Sequence, residues 1–289
     1  MIRCNDVCKS FSGKKVLTGI GFDISDGEIF GLLGPSGAGK TTLIKILTGQ
    51  LAFDKGSVTV FDKDVSSLSG EDKKSIGIMM DQFGVYERLS CIDNLKIFAD
   101  IYGVSHDKIK STLEQVGLKD AGSKPASTLS KGMRARLSLA RVFMHTPKLI
   151  FLDEPTSGLD PQTMRQIHKI ILEKKKEGCT IFLTTHNMEE AYKLCDRVAL
   201  LNEGLIVENE APAKICRKYN HQKTIKLHLS SGEELIIPHE SQSSETVAHL
   251  LADGCIETIH SSEPTLETVF LELTGRKLEE DEACETFVL

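Results

Sequence analysis

No stretch of the chain approaches the roughly 20 consecutive apolar residues needed to cross a bilayer. The apolar runs, such as Leu149-Ile150-Phe151-Leu152, are short and soon meet charges. The N-terminus, Met1-Ile2-Arg3-Cys4-Asn5-Asp6, has no basic segment followed by an apolar one, so no signal peptide is read there. A basic excess is also missing. Lys and Arg number 35 against 41 Asp and Glu, for a formal net charge of −6. That balance argues against a constitutive nucleic-acid or anionic-membrane binder. None of the eight cysteines forms C-x-x-C, and 289 residues need no disulfide staples. Reduced thiols are expected, with Cys4 and Cys8 as half a metal site the weaker alternative. What is present is a 40% hydrophobic composition, ample for a packed core and incompatible with global disorder. The length fits one large domain, or one large and one small.

Strand and helix patterns alternate. Val16 to Gly31 reads as short strands broken by Gly19, Gly21 and Asp26-Gly27. Ile29 to Leu33 is an apolar strand entering a glycine-rich loop, and Leu43, Ile44, Ile46 and Leu47 recur at helical spacing. Residues from about 85 to 145 are mostly helical in pattern and read as an inserted subdomain. Leu149–Asp153 and Thr180–Thr184 read as buried strands, with a helix over Pro161–Lys176 between them. Glu189 to Cys195 reads as a short helix, and Val198 to Val207 as a hairpin around Asn202-Glu203-Gly204. This order predicts an α/β core with a mainly parallel sheet. Composition shifts near Ala211 to Gln222. Beyond it lie a hairpin signal at Ser231-Gly232 and two short helices, over Thr246–Leu251 and Leu266–Leu273. The expected domains are 1–215, a small α+β appendage over 222–278, and an acidic tail over 279–289. Five of the nine histidines fall in or beside the appendage at no recurring ligand spacing, and solvent-exposed histidines are expected there.

Gly34-Pro35-Ser36-Gly37-Ala38-Gly39-Lys40-Thr41, with Thr42 beside it, fits G-x-x-x-x-G-K-[ST]. Glycines let successive backbone N–H groups turn inward around phosphates. Lys40 reaches the terminal phosphates as a point charge, the Thr41 hydroxyl is a ligand for Mg2+, and the following helix adds its positive end. The loop follows a strand and opens a helix, the context this chemistry requires. A kinase, a GTPase, a helicase and a transporter ATPase all share it. Leu149-Ile150-Phe151-Leu152-Asp153-Glu154 is an apolar strand ending in two carboxylates. Asp153 is placed to hold Mg2+ and Glu154 to polarise an attacking water as general base.

Further motifs surround this pair. Leu129-Ser130-Lys131-Gly132-Met133 lies upstream, Ser157-Gly158-Leu159-Asp160 follows, His186 ends the next strand, and Gln82 precedes the helical stretch. In this order the chain, over residues 1 to about 215, resembles the nucleotide-binding subunit of an ABC transporter. The resemblance implies a P-loop NTPase core with an N-terminal β-subdomain and inserted helical subdomain. It also implies a head-to-tail dimer, with an identical copy or a homologue, holding two ATPs at its interface. Ser130 and Gly132 would then reach the γ-phosphate bound by the other subunit, and Asp160 would cross the interface. His186 would touch the γ-phosphate within its own subunit, and Gln82 would approach Mg2+ and the water. Phe11 would stack on adenine, where the family usually has Tyr. The signature usually reads Leu-Ser-Gly-Gly-Gln, whereas here Lys131 and Met133 replace the first Gly and the Gln. That puts the hydrolysis rate in question more than ATP binding.

Val85 to Ser90, Asp93-Asn94-Leu95 and the segment Thr265 to Arg276 resemble subunits that pair with ABC-2-type export permeases. The resemblance places the chain at the cytoplasmic face of the membrane, held by a separate integral-membrane permease that docks around residues 83–105. The rival reading is a soluble ABC-type ATPase that acts without a permease, on ribosomes or DNA or as a regulator. Its ribosomal form usually carries two phosphate loops, and its repair form a long insertion between Lys40 and Asp153. Neither is present here.

Overall fold

The computed structural model describes residues 1–80, 84–221 and 223–275. They divide into two compact units, one over Met1–Ala211 and a smaller one beginning at Pro212. Gln82 and the acidic tail 279–289 lie outside the described residues.

The larger unit contains, in chain order, β1 (Ile2–Phe11), β2 (Lys14–Ile24), β3 (Ile29–Leu33), β4 (Lys55–Val60), β5 (Lys63–Asp64), β6 (Ile76–Met79), β7 (Leu149–Asp153), β8 (Thr180–Thr185), β9 (Arg197–Asn202) and β10 (Leu205–Glu210). The first four-stranded sheet runs β2-β1-β4-β5 with antiparallel pairing. The second has six strands in the order β10-β9-β3-β8-β7-β6. All its neighbours pair in parallel except β10 on β9, which is the hairpin expected at Asn202-Glu203-Gly204. Every residue of β3, β7 and β8 is buried. Their central residues, such as Ile150 to Leu152 and Ile181 to Leu183, are apolar without alternation because a parallel sheet is covered on both faces.

Phe22 of β2 stacks on Phe30 of β3 with ring centroids 5.0 Å apart. Phe30 meets Phe182 of β8 at 5.8 Å, and Phe182 meets Phe151 of β7 at 5.5 Å. These rings join the two sheets into one core together with Leu43, Ile44 and Leu47 of the helix Lys40–Leu47. The inserted stretch forms helices over Cys91–Tyr102, Asp107–Gln115 and Lys131–Phe143. Ser90 caps the first and Ser130 the third, each accepting a backbone N–H three residues on. Buried Asn94 accepts from Tyr86 N and donates to the carbonyls of Tyr86, Leu89 and Ser90, which shapes the 86–90 loop.

The smaller unit has a three-stranded antiparallel sheet ordered β12-β11-β13, with β11 (Thr224–Leu229), β12 (Glu234–Pro238) and β13 (Ile256–Ser261). The expected hairpin at Ser231-Gly232 joins β11 to β12, while β13 is an element the sequence pattern did not show. The helix Pro212–Lys218 belongs to this unit, where it packs with the helix Leu266–Thr274. The boundary therefore lies at 211/212, earlier than the expected 215. Among the described residues no helix is long and apolar enough to cross a membrane.

The seven described cysteines are free, and no cluster of three or more metal-ligating side chains occurs among the described residues. Burial pushes the thiols of Cys4 and Cys179 up to about 12, so both stay protonated.

Candidate nucleotide site

The parallel register sets the site. Leu33 pairs with Thr185, and Asp153 pairs with Thr184, so the carboxyl ends of β3, β7 and β8 lie side by side. Chains leaving those ends converge in a crevice of the kind where α/β sheets bind ligands. Three of them carry the phosphate loop, the acidic pair and His186.

The loop turns through Gly39, whose φ of 110° is open to glycine. A Cβ there would also lie 2.8 Å from Leu17 Cδ2. Gly39 is the N-cap of the helix Lys40–Leu47 and supplies no side chain to the cap, so the first N–H groups of the helix point into the loop. Lys40 is 7% exposed. Its ammonium donates to Gly34 O at 2.6 Å and Pro35 O at 3.3 Å, and lies 3.2 Å from Glu154 Oε1. Lys40 and Glu154, together with Ser36, Thr41, Thr42 and Asp153, line a cavity of about 270 Å3.

Asp153 is 2% exposed and both its oxygens are bound. Thr41 Oγ1 donates to Oδ2 at 2.8 Å, and Thr184 Oγ1 donates to Oδ1. Thr41 and Asp153 thus form a pair of hard oxygen donors at the cavity. Such a pair suits Mg2+, a small cation that keeps waters and takes its remaining ligands from phosphate oxygens. Two protein oxygens without a larger ligand cage fit that chemistry.

Glu154 has a φ of 49°, in the left-handed region sparsely populated by residues with a side chain. Its N–H donates to Thr184 O at 3.1 Å, and its Oε2 accepts from His186 Nδ1 at 2.8 Å and from His186 N at 3.3 Å. Burial pushes the Glu154 carboxyl upward. The hydrogen bond from His186, then the charges of Lys40 and His186, outweigh burial and hold the group below its ordinary value. Glu154 is therefore an ionised carboxylate clamped between a phosphate-loop cation and an imidazole.

Of the residues expected from the sequence, the structure brings together Lys40, Thr41, Asp153, Glu154 and His186. Ser130, Gly132 and Asp160 form a second cluster. Gly132 is buried against Thr163, and a Cβ on it would lie 2.7 Å from Thr163 Cγ2. Asp160 caps the helix Pro161–Lys176, accepting from Gln162 N, Thr163 N and Thr163 Oγ1. Lys131 Nζ lies over Gly158, 2.3 Å from where a Cβ would sit. Among the described residues no hydrogen bond or ion pair joins Ser130, Gly132 or Asp160 to the phosphate loop. Phe11 ends β1 with 45% of its surface exposed, and Lys9 Nζ lies 5.4 Å from its ring centre. Thr184 was not singled out in the sequence. Only its pairing with Asp153 in the sheet register shows that its hydroxyl orients that carboxylate.

A larger hollow of about 470 Å3 lies at the opposite end of the sheet, between Asp23, Asp26, Glu28, Lys175, Asp196 and Arg197. Its charges bind one another: Arg197 with Glu28 and Asp23, Lys175 with Asp196.

Fold and site define a P-loop nucleotide-binding domain in which an aspartate–glutamate pair and a histidine follow neighbouring parallel strands. The ABC transporter family profile matches residues 17–157. The fluoroquinolones export ATP-binding protein of Mycobacterium tuberculosis is 38% identical over 92% of this chain and 90% of its own length. The linearmycin resistance ATP-binding protein LnrL of Bacillus subtilis is 31% identical over 96% and 99%. The Nod factor export ATP-binding protein I of a Rhizobium species is 35% identical over 94% and 96%. Among solved structures, an ATP-binding subunit of an ABC transporter superposes with a TM-score of 0.69 at 25% identity, covering 76% of this chain and 93% of that one. An ATP-binding cassette bound to ADP and Pi superposes with a TM-score of 0.66 at 22% identity, over 73% and 98%. The chain belongs to the ABC transporter family, as an ATP-binding and ATP-hydrolysing subunit of the export type.

Proposed function

We propose that the chain binds MgATP in the β3–β7–β8 crevice, hydrolyses it, and so drives export through a separate integral-membrane permease. The observation that carries this reading is the Lys40–Glu154–His186 cluster beside the Thr41–Asp153 pair. In it a phosphate-binding cation and an imidazole both contact one carboxylate base. When phosphates enter, the Lys40 ammonium has a stronger anionic partner than Glu154 and turns to it. Glu154 is then released to accept a proton from, and orient, the attacking water. His186, hydrogen-bonded to Glu154 through Nδ1, holds the carboxylate in place and faces the γ-phosphate. Bound Mg2+, held by Thr41 and Asp153, would neutralise charge on the β- and γ-phosphates. Gln82 is assigned a place beside the metal and water, and Phe11 the adenine face.

Ser130, Lys131 and Gly132 open a 13-residue helix, and they lie in a different cluster from the phosphate loop. Their assigned task is the γ-phosphate held by a second copy of this chain, with Asp160 at the same interface. ATP would then close the pair and hydrolysis reopen it, moving the permease between two conformations. Exposed Tyr86 and Ile101, on the surface around residues 84–105, are assigned to the permease contact.

The site reading is tested by Glu154→Gln. MgATP turnover should fall about a hundredfold or more, the usual scale for loss of a general base, with ATP affinity kept. Unchanged turnover rejects the assignment. The partner reading is tested by purifying the tagged chain from detergent-solubilised native membranes. A stoichiometric polytopic protein supports it, and wholly soluble recovery rejects it.

A further inference from the structure

Glu190 lies in the first turn of the helix Met188–Leu194, capped by Asn187, whose side chain accepts from Glu190 N at 3.0 Å. A glutamate at that position commonly reaches back to the backbone N–H of the cap. Here the Asn187 N–H is taken by Thr185 Oγ1 at 3.0 Å, and Glu190 turns inward. Its residue exposure is 1%. Oε1 accepts from Thr156 Oγ1 at 2.7 Å and lies 2.9 Å from His168 Nε2. Oε2 is buried with no hydrogen-bond partner among the described residues. A half-satisfied buried carboxylate is a poor device for stability, and a well-packed apolar side chain would serve better. Its placement, however, joins three elements. Thr156 is two residues beyond Glu154, Glu190 is four residues beyond His186, and His168 sits on the helix Pro161–Lys176.

We propose that Glu190 is a positioning residue of the hydrolytic site: through Thr156 it fixes the segment after Glu154 against the helix after His186. This rests on the reading of Glu154 and His186 given above. The two ties between these segments differ in kind. The Glu154–His186 contact involves side chains that are 16% and 36% exposed, and it must rearrange when a nucleotide engages either group. The Thr156–Glu190 bond lies behind it and is shielded from solvent. It holds the two backbones while the side chains in front exchange partners. His168 pins the same oxygen and keeps the carboxylate from rotating away.

The test is steady-state MgATP turnover by the full chain, with affinity for a fluorescent ATP analogue measured alongside. Thr156→Val, nearly isosteric and able to fold as the parent does, and Glu190→Ala should each lower kcat about tenfold. KM and analogue affinity should stay within about twofold. The double variant should be no worse than the poorer single, because both remove one bond. Glu190→Gln should recover most of the loss, since its amide oxygen still accepts from Thr156. Wild-type kcat in Thr156→Val, or losses that multiply in the double variant, would overturn the proposal. Glu154→Gln run in parallel separates the two claims. If it is dead while Thr156→Val is wild type, Glu190 has no positioning role and the site reading stands. If Glu154→Gln keeps turnover, the site reading fails and the proposal with it.

Discussion

The two clusters assigned to the nucleotide differ in how fully they are satisfied within one chain. At the phosphate end Glu154 binds Lys40 and His186 at 2.8 to 3.3 Å, Asp153 is held by Thr41 and Thr184, and Lys40 and Asp153 are almost fully buried. At the signature end Ser130 and Lys131 are exposed, and the Lys131 ammonium has no hydrogen bond or ion pair among the described residues. The first cluster is closed on itself and needs only its nucleotide to rearrange it. The second leaves its capping serine and a cation exposed at a helix N-terminus. That contrast is what a composite site would look like when divided between two copies.

The comparison can be broken from either side. Removing the closed cluster's cation has the largest expected effect. Lys40→Ala should weaken affinity for a fluorescent ATP analogue by about a hundredfold, the scale of two charge-assisted contacts. Affinity within a few-fold of the parent would show that the cation is not a phosphate ligand. Ser130→Ala should leave that affinity unchanged and lower turnover about tenfold, since it removes one hydrogen bond made only in the closed pair. A loss of affinity in the isolated chain would place Ser130 in the first cluster. Lys131→Gly, which restores the usual family residue, should alter kcat/KM by less than about fivefold, as expected for an exposed charge. A larger change would make Lys131 a principal phosphate contact.

The smallest effect concerns pH. Glu154 is held below its ordinary value, so its contribution to stability is present above that value and is lost as pH falls through the folded one. Between about pH 5 and pH 3 the Tm of the parent should fall more steeply than that of Glu154→Gln. Parallel acid limbs would show that Lys40 and His186 do not stabilise the carboxylate.

How much of this was readable in the sequence follows from the distance over which each feature is specified. The phosphate loop is eight contiguous residues between an apolar strand and a helix, and it folds as the spacing requires. Glu154 is legible because β7 is a continuous apolar run that ends in charge. The parallel core followed from buried strands alternating with helices. By contrast, the bond from Thr184 to Asp153 depends on the β7–β8 register, which no local pattern states. The same is true of Glu190, Thr156 and His168, which come from three separate elements. β13 was missed because all but one of its six residues are exposed, so it lacks the alternation of a half-buried strand. The boundary at 211/212 was read too late because Ile215 and Cys216 are buried in the smaller unit, a tertiary fact without a local signal.

The central claim, that one ATP is shared between the closed cluster of one copy and the open cluster of another, has a direct test. Lys40→Ala and Gly132→Asp chains are each prepared and shown to be inactive, then mixed, and MgATP turnover is followed. In a mixed pair one site combines the intact phosphate loop of the second variant with the intact Ser130–Gly132 segment of the first. The account predicts that turnover reappears on mixing and scales with the fraction of mixed pairs. Turnover that stays at the level of the separate variants would contradict it.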